Sequence, residues 1–211
     1  APGIATIIVA YNNATTIGQL VRSVAEIKGC STVVVVDNGT DGSGDVAAAA
    51  GALVVRCPDN PGFGTGQNRG VAATTEPFLL LLNPDAELAT GGVEHGLEVL
   101  RSRPDTAAVQ GVITSRRSGG PERSMGPDLR WVHLVGRALG LKRLLRTSGG
   151  RALARIGGVK DQVNRVPAGV AEVETLAATA VLIRRSAFGD VGGFDERYFL
   201  YGEDLDLCRR L

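Results

Sequence analysis

The hydrophobic positions of this chain form short apolar runs separated by amphipathic stretches. Runs of β-branched residues or leucines that end abruptly in polar residues are typical of strands buried on both faces of a parallel sheet. The predicted strands cover residues 4–11, 32–36, 52–56, 79–83 and 106–114. Apolar positions at helical spacing lie between them, at 17–27, 45–50, 66–74 and 90–103. Strands that alternate with helices at this spacing predict parallel, right-handed βαβ units.

Residues 79–87 join the most apolar strand to a group of oxygen-bearing side chains. Pro84 cannot donate to a sheet ladder and favours an extended backbone at Asn83, so we expect the strand to end there. Asp85 and Glu87 then lie at the C-terminal edge of the sheet, where open α/β folds bind ligands. Hard divalent cations bind such oxygen ligands, and they usually bind the phosphates of a substrate at the same time. Asp85 alone fits equally well a metal site or a polar turn after a strand.

A glycine-rich stretch at residues 60–70 precedes and opens the helix predicted for 66–74. The free backbone N–H groups of such a loop, with Arg69 in the first helical turn, suit a phosphate group. The glycine spacing and the position after the third strand differ from a dinucleotide-binding fingerprint. A purely structural turn is the alternative interpretation.

The regular pattern stops at residue 114 and resumes at Val173. A buried strand is predicted at 176–183, a short helix from Ser186 to Gly192, and another helix from Gly202. We therefore predict one α/β domain with halves at 1–114 and 173–211 and a variable basic insertion at 115–172. No apolar run approaches the length of a membrane span and the N-terminus lacks a basic signal-peptide start, which favours a cytoplasmic protein.

Charge is concentrated in residues 115–160, which we call the basic segment. Eleven Lys and Arg residues against two acids give it a net charge of +9, and the remainder carries −8. Apolar positions at 131–145 predict an amphipathic helix, either packed on the sheet or in peripheral contact with an anionic membrane surface. A nucleic-acid partner is not predicted, because the segment has almost no aromatic residues for base stacking.

The three cysteines add a weaker constraint. Cys30, Cys57 and Cys208 are scattered and odd in number. They form neither a disulfide framework nor a zinc-ligand spacing, so buried thiols in a reducing compartment are expected.

Several short motifs, each weak alone, follow one another in an order that is specific. They are Ile8–Asn13, Val35–Gly39 with Asp41–Ser43, Asn60–Gly64 with Asn68–Gly70, Leu82–Glu87, Leu182–Arg185, and Gly192–Phe199 followed by Glu203–Arg210. In these motifs the chain resembles family 2 of the glycosyltransferases, particularly its bacterial rhamnosyltransferase-like branch. The resemblance covers 4–114 and 173–211 but not 115–172. It implies the GT-A fold, a Rossmann-like, mostly parallel sheet flanked by helices, with a mixed region on the acceptor side.

The resemblance also implies a metal-dependent, inverting enzyme. It would move a sugar such as rhamnose from a dTDP- or UDP-linked donor to a hydroxyl of a cell-envelope saccharide or lipid-linked acceptor, at the inner face of the membrane. Tyr11 and Asp37 would hold the base and ribose, and Arg69 would face the diphosphate. Asp85 would bind Mg²⁺ or Mn²⁺, while Asn83 stands where many members carry the first Asp of an Asp-x-Asp motif.

Asp204 would be the general base. Residues Ala178 and Thr179 stand where many relatives have a Gly-Ala pair beside the acceptor. The other predicted site residues are Asn12, Asn38 and Asn68 on the donor side and Glu203 on the acceptor side. Relatives continue beyond the position of Leu211, so we expect this chain to lack a C-terminal part.

Simpler roles and other functions stay open. In the simpler interpretation, the only role of Asp37 is to cap a turn, and the only role of Asp195 is to pair with Arg197. A sugar nucleotidyltransferase should carry a glycine-rich basic loop after strand one, where this chain has residues 11–13, Tyr-Asn-Asn. A non-catalytic nucleotide-sugar-binding domain is the second alternative.

Overall fold

A computed structural model describes residues 3–122, 124–126 and 169–211. The chain divides into two compact units, the first formed by 1–111 with 176–211 and the second by 112–175. Every predicted site residue belongs to the first unit. The amphipathic helix predicted for 131–145, and most of the basic segment, lie outside the described residues.

The first unit is built on a six-stranded sheet with the order β3-β2-β1-β4-β8-β5. Its strands are β1 (Ile4–Ala10), β2 (Cys30–Asp37), β3 (Leu53–Arg56), β4 (Phe78–Leu82), β5 (Ala108–Gln110) and β8 (Ala180–Arg184). Strands β1 to β4 are parallel, and β8 runs antiparallel between β4 and β5. The chain order reverses on either side of β1, which creates a topological switch point between β1 and β4.

Helices cover both faces of this sheet. They are α1 (Ile17–Ala25), α2 (Ser43–Ala49), α3 (Phe63–Ala72), α4 (Gly92–Ser102), α5 (Arg185–Asp190) and α6 (Glu203–Arg210). One core cluster packs α1 and α4 on alternate strand residues such as Ile8 and Leu82. The other packs Val71, Phe194 and Leu207 on the intervening strand residues. The doubly covered, mostly parallel sheet matches the predicted fold class.

Helix α3 differs from its prediction, because it begins at Phe63 rather than Gly66. Its three glycines allow close packing on neighbouring side chains: a Cβ on Gly70 would clash with Ile7, one on Gly66 would meet Val9 at 3.0 Å, and one on Gly64 would meet Phe194 at 3.1 Å. Close packing accounts for these glycines without a ligand, and the phosphate contact of this stretch stays a prediction. Arg69 consequently lies in the last turn of α3, and its predicted first-turn position is wrong.

The strand predicted for 176–183 is interrupted at residues 177–179. Its first part is β7 (Thr175–Leu176) and its second part is β8. The Thr179 carbonyl accepts a hydrogen bond from the Asn83 N–H at 2.8 Å. The Gln110 side-chain amide donates to the carbonyls of Ala177 and Ala180. These bonds, one from the residue after β4 and the others from β5, hold the interruption beside the end of β4.

The paired arginines at the end of β8 bind the C-terminal ends of two helices. Arg184 donates to the carbonyls of Leu100 and Arg103 at the end of α4. Arg185 donates to the Val71 carbonyl at 3.2 Å and to the Thr74 hydroxyl at 2.6 Å, at the end of α3. Basic side chains commonly satisfy carbonyls at these positions. Both arginines therefore have structural roles.

The second unit contains an antiparallel bridge between Thr114 and Pro121. A two-stranded sheet pairs β6 (Met125–Gly126) with β7, the segment at which the second unit ends. Among the described residues of the whole chain, no helix is long and apolar enough to cross a membrane.

Candidate functional site

The ends of four strands meet at one edge of the sheet. The parallel register aligns Ala10 with Asp37, and the antiparallel register aligns Leu82 with Ala180. Since β8 is antiparallel, its first residue lies at the edge where β1, β2 and β4 end. The structure therefore brings together four predicted groups, namely residues 11–13, 37–39, 83–85 and 178–179.

The loop after β1 is fixed against the loop after β2. The Asn13 N–H donates to the Ser43 hydroxyl at 2.8 Å, and the Asn13 side chain accepts from the Tyr11 N–H at 2.8 Å. Asn12 adopts a left-handed backbone with φ +58 and accepts weakly from the Thr40 N–H. The Tyr11 side chain is left largely exposed. A fixed backbone with an exposed ring suits packing against a planar base.

Asp37 is buried and already makes several interactions. Its carboxylate accepts from the N–H groups of Gly39 at 3.2 Å and Gly44 at 3.0 Å. Arg56, its register partner at the end of β3, lies 3.6 Å away. Asp37 therefore caps the turn and the start of α2, as the simpler interpretation proposed. A carboxylate has about four acceptor positions, so Asp37 can still accept a hydrogen bond from a ligand. Its role in base recognition stays a prediction.

The contact between Arg56 and Asp37 was not predicted from the sequence. Both residues end neighbouring parallel strands, and that shared position is the signal that could have revealed it. The guanidinium also bonds Asp45 on α2. Arg56 therefore neutralises part of the charge at the end of β2.

Asn38 links the end of β2 to the start of α3. Its Nδ2 donates to the Gly62 carbonyl at 3.1 Å, and the residue is buried. Its Oδ1 has no hydrogen-bond partner within the part of the chain that the structure describes. A buried amide oxygen in this state is normally met by ordered water or ligand. This fits the predicted donor-side position of Asn38.

The structure gives Asn68 a packing role. Its amide pairs with the backbone of Phe194, donating to the carbonyl and accepting from the N–H, each at 2.9 Å. The same Nδ2 lies 3.1 Å from Glu196 Oε1. Asn68 therefore holds the segment around Phe194 on α3, and its predicted contact with the donor is untested.

Arg69 contacts Cys57, whose N–H donates to the Asp37 carbonyl at 2.8 Å, and Asp59. Its Nη1 lies 3.3 Å from Asp59 Oδ1 and 3.1 Å from the buried Cys57 thiol. These hydrogen bonds raise the pKa of Arg69 above its ordinary value. A role at the diphosphate would require the guanidinium to leave Asp59, and it remains a prediction.

The turn after β4 presents the predicted metal ligand. Strand β4 ends at Leu82, and the Ala86 N–H donates to the Asn83 carbonyl at 3.2 Å, which closes the turn. Asp85 is exposed, and none of the hydrogen bonds or ion pairs of the described residues involves its carboxylate. Asn83 is fixed by its bond to Thr179.

The residues of this turn fit a shared metal site. No group of three or more His, Cys, Asp or Glu side chains among the described residues could enclose an ion. Mg²⁺ and similar ions are usually held by one or two carboxylates, with substrate phosphates and water completing the shell. One free carboxylate at Asp85, with the amide oxygen of Asn83 nearby in sequence, matches that requirement.

Asp204 lies in the first turn of α6, directly after the left-handed Gly202. Its Oδ1 accepts from the Leu205 N–H at 2.8 Å, and in the described part of the chain Oδ2 has no hydrogen-bond partner. One turn later, the Cys208 thiol accepts from the Leu176 N–H at 3.3 Å. Leu176 directly precedes the interruption at residues 177–179, where the Thr179 carbonyl accepts from the Asn83 N–H. A short run of contacts thus connects α6 with the turn of Asp85.

Glu203 is buried, and its Oε2 has no partner among the described residues. Burial raises the pKa of this carboxyl above its ordinary value, and the charge of Asp204 adds to the rise. A helix N-terminus favours the ionised form, but the loss of hydration is the larger effect here. The position of Glu203 therefore disfavours the charged form of its carboxyl more than an exposed position would.

Glu203→Gln should stabilise the fold at neutral pH. A raised folded-state pKa contributes stability that is complete below the unfolded pKa and is lost as the pH rises through the folded pKa. The neutral amide removes that loss, so we expect a melting temperature about 2–4 °C above the parent at pH 7.5 and no difference near pH 4. Scanning calorimetry across this range measures it. Glu98→Gln, at a carboxylate 80% exposed, is the control; equal shifts at both pH values would contradict the prediction.

Asp195 and Arg197 pair as expected, with Nε of Arg197 at 3.0 Å from both carboxylate oxygens. These hydrogen bonds lower the pKa of Asp195 to about 2. The pair shapes the turn that precedes Tyr198 and is not assigned to the site.

Comparison with known families decides the classification. Residues 5–155 match the family described as Glycosyl transferase family 2. The chain belongs to glycosyl transferase family 2. The match extends beyond residue 114, into the region where the recognisable motifs stop. The predicted family is confirmed.

A relative in Mycobacterium tuberculosis supports the predicted branch. The chain is 31% identical over 194 residues to an N-acetylglucosaminyl-diphospho-decaprenol L-rhamnosyltransferase, covering 85% of this chain and 60% of that protein. The family 2 chain thus spans about three fifths of the length of this relative. The predicted similarity to bacterial rhamnosyltransferases is confirmed.

Solved structures confirm the GT-A fold. A mannosyltransferase from Pyrobaculum calidifontis, in complex with GDP-Man and Mn²⁺, matches with a TM-score of 0.63 at 17% identity over 98% of this chain and 52% of its own. Glucosyl-3-phosphoglycerate synthase from Mycobacterium tuberculosis, in complex with Mn²⁺, UDP and phosphoglyceric acid, matches with a TM-score of 0.53 at 18% identity over 89% of this chain and 57% of its own. At these identities the likeness establishes the fold.

Proposed function

We propose that this chain carries the donor site and the general base of an inverting glycosyltransferase. It would move a sugar, rhamnose in the first instance, from a nucleoside diphosphate to an acceptor hydroxyl. The observation that supports this most is the convergence of three parallel strand ends with the start of β8, where Asn83 and Thr179 are joined at 2.8 Å. Rhamnose is proposed because the Mycobacterium tuberculosis relative is named as an L-rhamnosyltransferase.

The donor would be a dTDP- or UDP-linked sugar. The exposed ring of Tyr11 is available to pack on the base, and Asp37 has acceptor positions for an N–H of a pyrimidine. Asn38 would add its unpaired Oδ1 from the same loop. The UDP complex of the glucosyl-3-phosphoglycerate synthase supports a pyrimidine donor, while the mannosyltransferase binds GDP-Man, so both kinds of nucleotide must be tested.

Asp85, with Asn83, would hold Mg²⁺ or Mn²⁺ together with the diphosphate. A bound divalent ion would stabilise the negative charge of the leaving diphosphate. Both neighbouring structures named above were obtained with Mn²⁺, which supports the proposal.

Asp204 would remove the proton from the acceptor hydroxyl. The acceptor oxygen then bonds to the anomeric carbon while the bond from that carbon to the diphosphate oxygen breaks. A single displacement with one carboxylate as base inverts the anomeric configuration. The turn at Ala178 and Thr179, with the buried Glu203, would form the acceptor side.

The acceptor is proposed to be a saccharide on a lipid diphosphate. The support is the name of the relative, which specifies N-acetylglucosaminyl-diphospho-decaprenol. The concentration of positive charge in the basic segment would suit a peripheral position on the inner face of a membrane. This placement is part of the proposal.

A thermal-shift panel tests the donor assignment. dTDP-rhamnose, UDP-sugars and GDP-mannose are compared with and without Mn²⁺ or EDTA. A pyrimidine nucleotide at a hundred times its Kd should stabilise the fold by about 2.7 kcal/mol, or roughly 5–10 °C. Equal shifts for every nucleotide, or none in Mn²⁺, would contradict the assignment. A transfer assay then separates an enzyme from a non-catalytic binding domain.

A further inference from the structure

Four consecutive large apolar residues lie exposed immediately before the proposed base. They form Tyr198–Tyr201, which we call the aromatic segment, with exposed fractions of 38%, 59%, 50% and 83% in chain order. Isolated exposed apolar side chains are ordinary, whereas a contiguous group marks a contact surface. Gly202 separates the aromatic segment from the first turn of α6.

The backbone of the aromatic segment is firmly held. The Phe199 carbonyl accepts from the Phe63 N–H at 3.0 Å. Gly62 packs so closely on that carbonyl that a Cβ there would clash with Phe199. Tyr198 lies on the other side, 3.5 Å from where a Cβ on Gly202 would be. The exposed side chains therefore project from a fixed backbone rather than from a loose loop.

Tyr201 adopts a backbone conformation that does not suit it. Among the described non-glycine residues, positive φ occurs at Asn12, Asn60 and Tyr201, with values of 58, 41 and 67. Asparagine tolerates the left-handed region, while a bulky residue there is an outlier with a free-energy cost. The Tyr201 side chain is 83% exposed, so packing within the chain does little to offset that cost. Strain of this kind concentrates at ligand-contacting positions.

We propose that Tyr201 recognises the acceptor, with its ring packed against the apolar C–H face of a sugar ring. This inference rests on the proposed function, because it is Asp204 as base that places the acceptor at the start of α6. A tyrosine ring offers an apolar face and a polar hydroxyl at little cost in conformational freedom. Tyr201 is thus an acceptor-specificity residue that none of the sequence motifs identifies.

The charges beside the aromatic segment favour a neutral sugar ring over an anionic bilayer. The first turn of α6 carries Asp204 and Asp206, with Glu203 buried beside them. Carboxylates accept hydrogen bonds from sugar hydroxyls, whereas they are repelled by an anionic lipid surface. We therefore commit to the saccharide as the occupant, and vesicle binding becomes an outcome of the test.

Tyr201→Asn is the decisive variant, because asparagine suits the left-handed backbone and removes the ring. We expect the melting temperature to rise by about 2–4 °C, donor affinity to stay within twofold, and the acceptor KM to increase about tenfold, the factor that about 1.4 kcal/mol gives. Saturation-transfer NMR with methyl N-acetyl-β-glucosaminide should lose its signal in parallel. Tyr201→Phe should restore KM to near the parental value. Leu53→Asn, at a 48% exposed position of β3, should leave KM unchanged.

The outcomes separate this inference from the proposed function. A parent chain that binds no nucleotide would refute the proposed function itself. Normal donor binding with an unchanged acceptor KM and NMR signal in Tyr201→Asn would overturn the inference alone. A lower melting temperature would also overturn it, because Tyr201 would then be present for stability. If Tyr201→Asn instead loses the parent's binding to phosphatidylglycerol vesicles while its saccharide binding stays intact, the aromatic segment would be assigned to a membrane surface.

Discussion

Asp204→Asn should reduce sugar transfer on the order of a hundredfold or more while leaving donor affinity nearly unchanged, the scale of general-base catalysis. The amide keeps the shape of the side chain and can still accept from the Leu205 N–H, so α6 should form normally. It cannot take a proton from the acceptor hydroxyl. Initial rates of transfer and calorimetry with the donor measure the two effects separately.

Asp206→Asn is the matched control, since Asp206 lies in the same helical turn and pairs with Arg210 at 2.6 Å. We expect it to affect stability more than the rate. Transfer at the parental rate in Asp204→Asn would rule Asp204 out as the base, and loss of donor binding would make it a binding residue. A parent chain that binds donor and transfers nothing would support the non-catalytic alternative.

The sheet could be predicted because the strand signals are local. Each apolar run ends in polar residues, and right-handed crossovers between parallel strands bring those ends to one edge. The positions of Tyr11, Asp37 and Asp85 follow from this rule without any knowledge of side-chain contacts. The family motifs then gave these three positions expected roles, which remain to be tested.

Helix α3 and the 177–179 interruption could not be predicted from local pattern. The glycines of α3 allow contact with Ile7 and Val9, which are distant in sequence, so tertiary packing overrides their low helix propensity. The interruption is held by Asn83 and Gln110, which also lie far along the chain. The partners of Asn68 and Arg69 are equally non-local.

Tyr201 shows a different limit of sequence interpretation. A left-handed backbone is predicted where glycine or asparagine stands, as it does at Asn12 and Asn60. Tyrosine gives no such signal, and only the dihedral angle reveals the conflict between residue and backbone. Such local conflicts are expected where a residue serves binding rather than folding.

Asp85→Ala should weaken binding of dTDP and UDP at least tenfold in the presence of Mn²⁺, a loss of about 1.4 kcal/mol or more. The reason is that Asp85 is the exposed carboxylate of the turn at the switch point, and the diphosphate would share the ion with it. Isothermal calorimetry with and without EDTA measures the loss. EDTA should weaken binding to the parent and have little further effect on the variant.

Asp105→Ala provides the matched control for charge. Asp105 is an exposed acid in the turn before β5, and because β5 runs parallel to β4 this turn lies at the opposite edge of the sheet. Its removal should leave nucleotide affinity unchanged in both Mn²⁺ and EDTA. If Asp85→Ala and EDTA also leave the affinity unchanged, the metal assignment is wrong. If Asp85→Ala weakens binding equally with and without Mn²⁺, Asp85 would contact the nucleotide directly rather than through an ion.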